Sequence, residues 1–211
     1  MKEKFKKYLN EDYSFDKSTM MWIICLIIVI SGIFGFLYEF IFYYFDSGMT
    51  TFYYRGGNFL PWINIYAIGA VIIFFLTYRK RKNPLYVFLV SMISTGILEY
   101  IGGWFMEHIM NTKCWDYTSE ILSFGNINGY VCLRSILIFG ISSLLLIYII
   151  VPLCFCLAKR MKKKHFLILI YTLCAIFLFD ELYNLIFARL LSLPRASTIY
   201  KKLGFNYLYF K

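Results

Sequence analysis

Two glutamates lie inside a segment whose other residues suit the interior of a lipid bilayer. Glu99 and Glu107 belong to the run ILEYIGGWFMEH, and on a helix their spacing of eight residues places them on one face together with Gly103. A charged side chain near the centre of a membrane helix costs roughly 2.5–3.5 kcal/mol on insertion scales, so it usually faces a polar cavity or a partner. The pattern predicts a polar site around Glu99. For Glu107, near the end of the run, an ordinary place at the membrane interface is an equal alternative.

The remaining acids follow the same trend along the chain. Every acid after residue 16 lies either in the outer half of an apolar segment or in a loop on the predicted outer side. That side carries few basic residues. Arg55 and Arg134 are the only arginines near that side before residue 189, so they are the candidates to pair with these acids. A role in binding substrate and a role in neutralising a buried acid are equal alternatives for Arg55, whereas neutralisation is favoured for Arg134. The acids are Glu39, Asp46, Glu99, Glu107, Asp116, Glu120, Asp180 and Glu181.

Residue types that could bind a metal or catalyse a reaction are present, but their spacing is not typical of either. Glu107, His108, Cys114 and Asp116 carry zinc-binding groups, yet the sequence holds no HExxH or CxxC motif. We therefore expect no metal and no cofactor. Paired acids could exchange protons with a substrate. No serine or cysteine has a recognisable base beside it, so no catalytic residue is assigned and enzymatic activity stays open.

Composition places this chain among membrane proteins. Of its 211 residues 60% are hydrophobic, 21% are aromatic and only 16% are charged, against about 45–50% apolar and about 25% charged in soluble domains. The net charge of +10 comes from short basic runs between apolar segments, which is typical of loops that face anionic lipid rather than of a nucleic-acid-binding surface. We expect the lipid bilayer as a partner and no nucleic acid.

The apolar segments predict an all-α, polytopic integral membrane helical bundle with about five transmembrane segments. Basic residues number 5 in the N-terminal tail, 4 in residues 79–82 and 5 in residues 159–164, which predicts a cytoplasmic N-terminus. A fifth segment that crosses fully is favoured over one that returns to the cytoplasm. The prediction comprises a cytoplasmic tail over 1–20, a membrane domain over 21–191 with spans at about 21–45, 62–78, 85–109, 129–157 and 165–191, and a basic, aromatic tail over 192–211.

An ordered succession of short motifs resembles a known family over about residues 20–155. The family is the bacterial CmpB-like, type IV group of ABC-transporter permeases, and this chain departs from its pattern at Leu60, Asn64, Ala67 and Tyr130. The motifs are Glu39, Arg55-Gly56 with Pro61, Ile65-Tyr66, Gly69-Ala70, Leu98-Glu99-Tyr100, Gly103-Trp104 with Met106-Glu107, Trp115-Asp116-Tyr117, Asn126-x-Asn128-Gly129 and Val131-Cys132-Leu133.

The resemblance implies a multi-pass protein of the bacterial cytoplasmic membrane. The chain contains no GxxxxGK[ST] motif, so any ATP hydrolysis requires a separate ATPase subunit, and two chains could pair as a homodimer to complete a permease. A family's label does not by itself fix a function. We expect a permease-like transport component of unknown substrate, with an acid-lined polar cavity on the extracytoplasmic side.

Two other classes of function remain open. One is a membrane-embedded enzyme that acts on a lipid-linked or peptide substrate at the outer leaflet, and the other is an accessory subunit for assembly of a membrane complex. The candidate residues of the cavity and substrate path are Glu39, Arg55, Tyr66, Glu99, Trp104, Glu107, Trp115, Asp116, Asn126 and Asn128.

Overall fold

A computed structural model describes residues 2–10, 15–205 and 208–210 of this chain, and these are mostly helical. The helices are α1 (Lys2–Asn10), α2 (Lys17–Asp46), α3 (Asn64–Thr77), α4 (Pro84–His108), α5 (Leu133–Arg160), α6 (Lys163–Leu182) and α7 (Ala196–Lys202). Helix α6 is followed directly by a π-helical turn, Tyr183–Phe187, and a short helical turn, Ala188–Leu190. Single 3₁₀ turns occupy Tyr78–Lys80 and Tyr117–Ser119. Two short strands, β1 (Phe52–Tyr54) and β2 (Leu208–Phe210), pair in parallel with Phe52 opposite Leu208.

Four of these helices, α2, α4, α5 and α6, are long and apolar enough to cross a membrane. This result agrees with the predicted helical membrane fold and roughly with its five segments. The segment predicted at 62–78 forms α3, whose 14 residues extend about 21 Å at 1.5 Å per residue, less than the roughly 30 Å of a bilayer core. Helix α5 begins at Leu133 rather than near 129, because residues 129–132 belong to the preceding loop.

Polar side chains define where the long helices begin. At the start of α2 the Asp16 carboxylate accepts hydrogen bonds from the Thr19 N–H at 3.1 Å and from the Thr19 hydroxyl at 2.6 Å. At the start of α4 the Asn83 side chain accepts from the Tyr86 N–H at 3.1 Å, and Pro84 occupies the first helical position, where its missing N–H costs nothing. Each capping residue immediately precedes the first residue of its helix.

The chain divides into two compact units. The first unit comprises Met1–Ile23 and Ile68–Lys159, and the second unit comprises Ile24–Ala67 and Arg160–Lys211. Helices α2 and α3 each contribute residues to both units, so the chain passes from one unit to the other within a helix.

Close contact between α4 and α5 forms the core of the first unit. One face of α4 is buried at every fourth residue, from Val87 through Ser91, Thr95 and Glu99 to Gly103. Small residues allow this approach: a Cβ at Gly140 of α5 would meet the Phe88 and Met92 side chains at 2.7 Å, and one at Gly96 would meet Ile136 at 2.9 Å. The opposite face of α4, with Ile93, Ile97 and Ile101, is exposed and apolar, as expected of a surface that faces lipid.

Hydrogen bonds of Tyr8 and Arg81 connect α1 to the rest of the first unit, at the end that carries the basic loops. The Tyr8 hydroxyl donates to the Ile147 carbonyl at 2.6 Å, and the Arg81 Nε donates to the Tyr8 carbonyl at 2.9 Å. The guanidinium also lies over the Tyr78 ring, 4.3 Å from its centroid. Ile147 lies within a π-helical turn of α5, Leu146–Ile150.

In the second unit, aromatic residues of the segment before and within α3 pack against glycines of α2. The Trp62 indole lies where a Cβ would project from Gly32, and the Tyr66 ring lies where one would project from Gly35. The Ile63 N–H donates to the Gly32 carbonyl at 3.1 Å. This contact requires glycine at positions 32 and 35, since any side chain would overlap an aromatic ring.

Candidate functional site

A buried carboxylate with two hydroxyl partners lies at the centre of the polar site in the first unit. Glu99 is 3% exposed, and its Oε1 accepts a hydrogen bond from the Tyr117 hydroxyl at 2.6 Å. Its Oε2 accepts from the Ser135 hydroxyl, also at 2.6 Å. Short O–H···O⁻ bonds of this kind are among the strong hydrogen bonds of proteins. The cluster joins α4, the loop after α4 and the start of α5.

The helix that carries Ser135 explains how this hydroxyl is oriented. Ser135 lies in the first turn of α5, and the Cys132 N–H donates to its Oγ at 3.2 Å. The Ser135 hydroxyl thus accepts from the first turn of the helix and lies within donating distance of both Glu99 and the Cys132 carbonyl, at 2.6 Å and 2.9 Å. The N-terminal end of a helix also favours a nearby negative charge, so the position of Glu99 agrees with the α5 dipole.

An ion pair lies beside this cluster. The Arg134 Nη2 contacts the Glu120 Oε2 at 2.6 Å, and Nη1 donates to the Ile121 carbonyl at 2.9 Å. The guanidinium carbon lies 5.3 Å from the centroid of the Tyr117 ring, whose hydroxyl reaches Glu99. Both charged side chains of the pair are at least nine-tenths buried. The pairing offsets the free-energy cost of burying each charge, which would be high without a partner.

The loop between α4 and α5, residues 109–132, brings together the Trp115-Asp116-Tyr117 triplet and the Asn126-x-Asn128-Gly129 turn; we call it the outer loop after its predicted position. The Tyr117 N–H donates to the Gly129 carbonyl at 3.0 Å, and the Trp115 indole N–H donates to the Tyr130 carbonyl at 2.9 Å. The Asn126 side chain accepts from the Gly129 N–H at 2.7 Å. The Trp-Asp-Tyr triplet and the Asn-x-Asn-Gly turn are therefore two sides of one folded loop, which holds Tyr117 against Glu99.

Asp116 and Asn128 have local partners in the same loop. The Asp116 carboxylate accepts from the Thr118 N–H at 2.9 Å and from the Thr118 hydroxyl at 2.6 Å, and it forms an ion pair with Lys113 at 2.7 Å. The hydrogen bond from Lys113 is the largest cause that lowers the pKa of Asp116 to about 2, followed by the two from Thr118. The Asn128 amide donates to the Tyr100 hydroxyl at 3.2 Å.

The aromatic residues at the end of α4 lie near Glu107. The Trp104 and His108 rings stack with centroids 5.2 Å apart, and Trp104 is exposed. The hydrogen bond between Tyr130 and Glu107 is the main cause that raises the pKa of the Tyr130 hydroxyl to about 12. The Tyr130 ring also lies against Gly103, where an added Cβ would come within 2.8 Å of it.

The second unit holds the other predicted residues, Glu39, Arg55 and Tyr66. The Arg55 Nε donates to the Glu39 Oε2 at 2.8 Å, and its guanidinium carbon lies 4.4 Å from the centroid of the Tyr43 ring. Both side chains of the pair are mostly buried. Tyr66 is buried against α2 through its contact with Gly35, so its role in the structure is packing.

Two acids of α6 organise the loop before α3, and the sequence prediction did not include them in the site. The Asp180 carboxylate accepts from the Phe59 N–H at 2.9 Å and from the Leu60 N–H at 2.6 Å. The Glu181 carboxylate accepts from the Asn58 amide at 2.5 Å and from the Asn64 amide at 3.1 Å. Two adjacent acids in an otherwise apolar segment are a sequence signal of a polar site. Their partners could not be identified from the sequence, because they lie more than a hundred residues away.

The same loop receives two tyrosine hydroxyls. Tyr54 and Tyr200 both donate to the Phe59 carbonyl, at 2.8 Å and 2.6 Å. Burial is the largest cause that raises the pKa of Tyr54 above its usual value, followed by the nearby Tyr200 and Asp180. Each backbone group of residue 59 is therefore bonded to a side chain from a distant part of the second unit.

Each unit thus gathers its own set of the predicted residues. Glu99, Trp104, Glu107, Trp115, Asp116, Asn126 and Asn128 surround the outer end of α4 in the first unit, and Glu39, Arg55 and Tyr66 lie in the second. Within the part of the chain that the structure describes, no group of three His, Cys, Asp or Glu side chains is placed to hold a metal ion. Cys114 and Cys132 are both thiols.

Comparison with known proteins gives one family match. A family model described as "Putative ABC-transporter type IV" matches residues 17–185, a range that includes α2 to α6 and both polar clusters. No curated protein and no solved structure matches the chain significantly. Because the match covers most of the sequence, this chain belongs to the ABC-transporter type IV family of membrane proteins.

Proposed function

We propose that this ABC-transporter-related membrane protein is a permease-like component of a transport system in the bacterial cytoplasmic membrane. In this proposal an acid-lined polar cavity opens on the extracytoplasmic side. Glu99 and Glu107 of the first unit line the cavity, and Trp104, Trp115 and Asp116 of the same unit lie at its mouth. The family match and the four apolar helices support a membrane transport role.

The observation that carries the proposal is the burial of Glu99 in α4. A carboxylate in a helix fit for lipid is costly, and a well-packed hydrophobic residue of similar volume is often as stable or more so. The partners Tyr117 and Ser135 are hydroxyls, which rotate without backbone movement and can exchange one acceptor for another. Glu99 could therefore release these donors and accept hydrogen bonds from a solute with hydroxyl or ammonium groups.

The source of energy would lie in a partner protein. The sequence holds no P-loop, so a separate ATPase subunit would hydrolyse ATP at the cytoplasmic side. Two copies of this chain could pair to form the complete path, as a homodimer.

The test replaces Glu99 with Gln, which keeps the size and removes the charge. Mass spectrometry of spent medium first identifies the solutes that the wild type consumes and that a gene-deletion strain leaves in the medium. We expect Glu99→Gln to leave the same solutes unconsumed while the protein reaches the membrane in normal amount, as measured by immunoblot. Tyr117→Phe removes one donor to the same carboxylate and should reduce uptake.

Asp46→Asn is the matched control, because it removes a carboxylate at the end of α2 that the proposal does not use. Uptake by this variant should equal that of the wild type. Wild-type uptake by Glu99→Gln would overturn the proposal. A deletion that changes the composition of lipid-linked or peptide products and leaves solute uptake intact would instead favour the enzyme alternative.

A further inference from the structure

The outer loop presents apolar side chains to its surroundings at its tip, residues 121–127. Ile121, Leu122, Phe124 and Ile127 are all exposed, and Leu122 is the most exposed of them at 61%. A loop outside a membrane ordinarily carries polar residues on such a surface, and contiguous exposed apolar side chains mark a site of contact with a protein or a membrane.

The tip is held in one conformation by hydrogen bonds within the first unit. The Leu133 N–H donates to the Phe124 carbonyl at 3.1 Å, and the Ile127 N–H donates to the Val131 carbonyl at 2.9 Å. The Arg134 guanidinium donates to the Ile121 carbonyl. These bonds fix the backbone at Ile121, Phe124 and Ile127, and the side chains of all three residues are exposed.

The backbone at Leu122 is strained in a way that supports a function. Its φ angle is +54°, in the left-handed region that glycine and asparagine favour and that a bulky side chain rarely adopts. Such strain persists where the surrounding structure imposes it, and it often occurs at functional positions. Here the strain turns a leucine outward.

Charge is absent from the tip and neutralised beside it. Between Glu120 and Arg134 the sequence contains no Asp, Glu, Lys or Arg. The two bordering residues pair with each other at 2.6 Å and are largely buried. The segment 121–133 therefore presents no ionised group, which removes the main cost of contact with hydrocarbon.

The tip also continues the lipid-facing surface of its neighbours. The loop connects α4 and α5, both of which are long and apolar enough to span a membrane, so its two ends lie at the membrane boundary. Exposed apolar residues precede it at Phe105 and Ile109 and follow it at Leu133, whose Cβ lies 3.5 Å from the position of a Cβ on Gly125. Exposed Trp104, stacked on His108, is typical of the interface between lipid and water.

We propose that the tip of the outer loop, residues 121–127, inserts into the outer leaflet of the membrane and makes this loop an interfacial anchor. The partner is the acyl-chain and headgroup boundary of the lipid. The polar part of the loop, which carries Trp115, Asp116 and Tyr117, then faces away from the acyl chains and remains over Glu99. The inference goes beyond transport, since it concerns the lipid contact of the loop and would hold whatever the chain carries.

Site-specific photocrosslinking tests this contact on the full chain. Phe124 is replaced with p-benzoylphenylalanine, which resembles phenylalanine in its first ring and abstracts hydrogen from nearby C–H bonds on irradiation. The purified protein is irradiated in nanodiscs of phosphatidylethanolamine and phosphatidylglycerol, and the same variant is irradiated in intact cells. The same substitution at exposed Ser119, in the polar part of the loop, is the matched control.

We expect lipid adducts on the peptide that contains residue 124, both in nanodiscs and in cells. We expect no adducts above background at residue 119. An adduct to another protein in cells without a lipid adduct would overturn the proposal in favour of a docking surface. No adduct at residue 124 would overturn it as well, since the side chain would then face water. If the variant at 124 does not accumulate, the substitution at Ile121 gives the same discrimination.

Discussion

At the scale of single residues, Glu99 accepts from two hydroxyls, whereas Glu39 and Glu120 pair with arginines and Asp180 accepts from backbone N–H groups. Glu39 and Glu120 each form a charge-assisted contact with an arginine, which fixes the geometry of the pair. Tyr117 and Ser135 instead offer neutral donors that cost little to rotate. The proposal assigns the working role to Glu99 because this carboxylate is buried in a helix that is apolar enough to span a membrane.

Asp116 provides a prediction about pH, because its folded pKa lies below its usual value of 3.8. The ionised carboxylate therefore stabilises the outer loop at pH values well above the usual pKa of 3.8, and the contribution is lost as the pH falls through about 2. We expect the ¹³C carboxyl signal of Asp116 to titrate with a midpoint near 2 in the wild type. The signal is assigned by its absence in Asp116→Asn.

Lys113→Gln supplies the matched comparison, since the hydrogen bond from Lys113 is the largest cause of the lowered pKa of Asp116. The midpoint should rise toward 3.8 in this variant while the Thr118 bonds keep it somewhat lower. A midpoint at 3.8 in the wild type would show that neither the Lys113 contact nor the Thr118 hydrogen bonds form in solution.

At the scale of elements, the close packing of α2 in the second unit depends on glycine. Gly35→Ala places a methyl group inside the space of the Tyr66 ring, so the ring or the helix must move. Overpacking of this kind costs typically about 1–3 kcal/mol. We expect a lower midpoint of unfolding for this variant in detergent, followed by circular dichroism with added sodium dodecyl sulfate.

Gly69→Ala is the control for that experiment. The nearest atoms to a Cβ at position 69 are 3.6–3.8 Å away, which is an ordinary contact. Because alanine favours a helix over glycine by up to about 1 kcal/mol, this variant should unfold at the same midpoint or later. Equal midpoints for Gly35→Ala and the wild type would mean that α2 does not contact Tyr66 as described.

The loop before α3 gives a second prediction at this scale. Asp180→Asn keeps the shape of the side chain but replaces a charged acceptor for the Phe59 and Leu60 N–H groups with a neutral one. A hydrogen bond to a charged group contributes about 1.5–3 kcal/mol, against about 0.5–1.5 kcal/mol for a neutral one. We expect amide hydrogen exchange at residues 59 and 60 to accelerate about tenfold, since about 1.4 kcal/mol corresponds to a factor of ten.

Glu181→Gln separates this effect from a general loosening of α6. Its carboxylate accepts from the Asn58 and Asn64 side chains, not from the backbone of residues 59 and 60. Exchange at those two amides should therefore change less than in Asp180→Asn. An equal acceleration in both variants would contradict the assignment of the backbone bonds to Asp180.

At the scale of the whole molecule, the sequence predicts features that depend on local composition and misses those that depend on distant partners. Long apolar runs identify α2, α4, α5 and α6, because hydropathy alone determines which segments can enter lipid. Glu99 stands out in the same way, as an acid in an apolar run. The contact of Asp180 with Phe59 joins residues separated by 121 positions, and no local pattern indicates it. The fold of the outer loop is missed for the same reason.

The orientation of the chain yields the last prediction. The count of basic residues places the N-terminal tail and residues 79–82 in the cytoplasm, and therefore the outer loop outside. Cys114 is exposed in that loop, whereas the other cysteines are buried or half-buried, and all but Cys132 lie within α2, α5 and α6. A membrane-impermeant maleimide should label Cys114 in intact spheroplasts, and Cys114→Ser should abolish that labelling.

Lys82→Cys in the Cys114→Ser background should react only after the membrane is permeabilised. Full crossing by α6 predicts that Lys202→Cys in the same background reacts in intact spheroplasts; labelling at residue 202 only after permeabilisation would show that the segment after α6 returns to the cytoplasm.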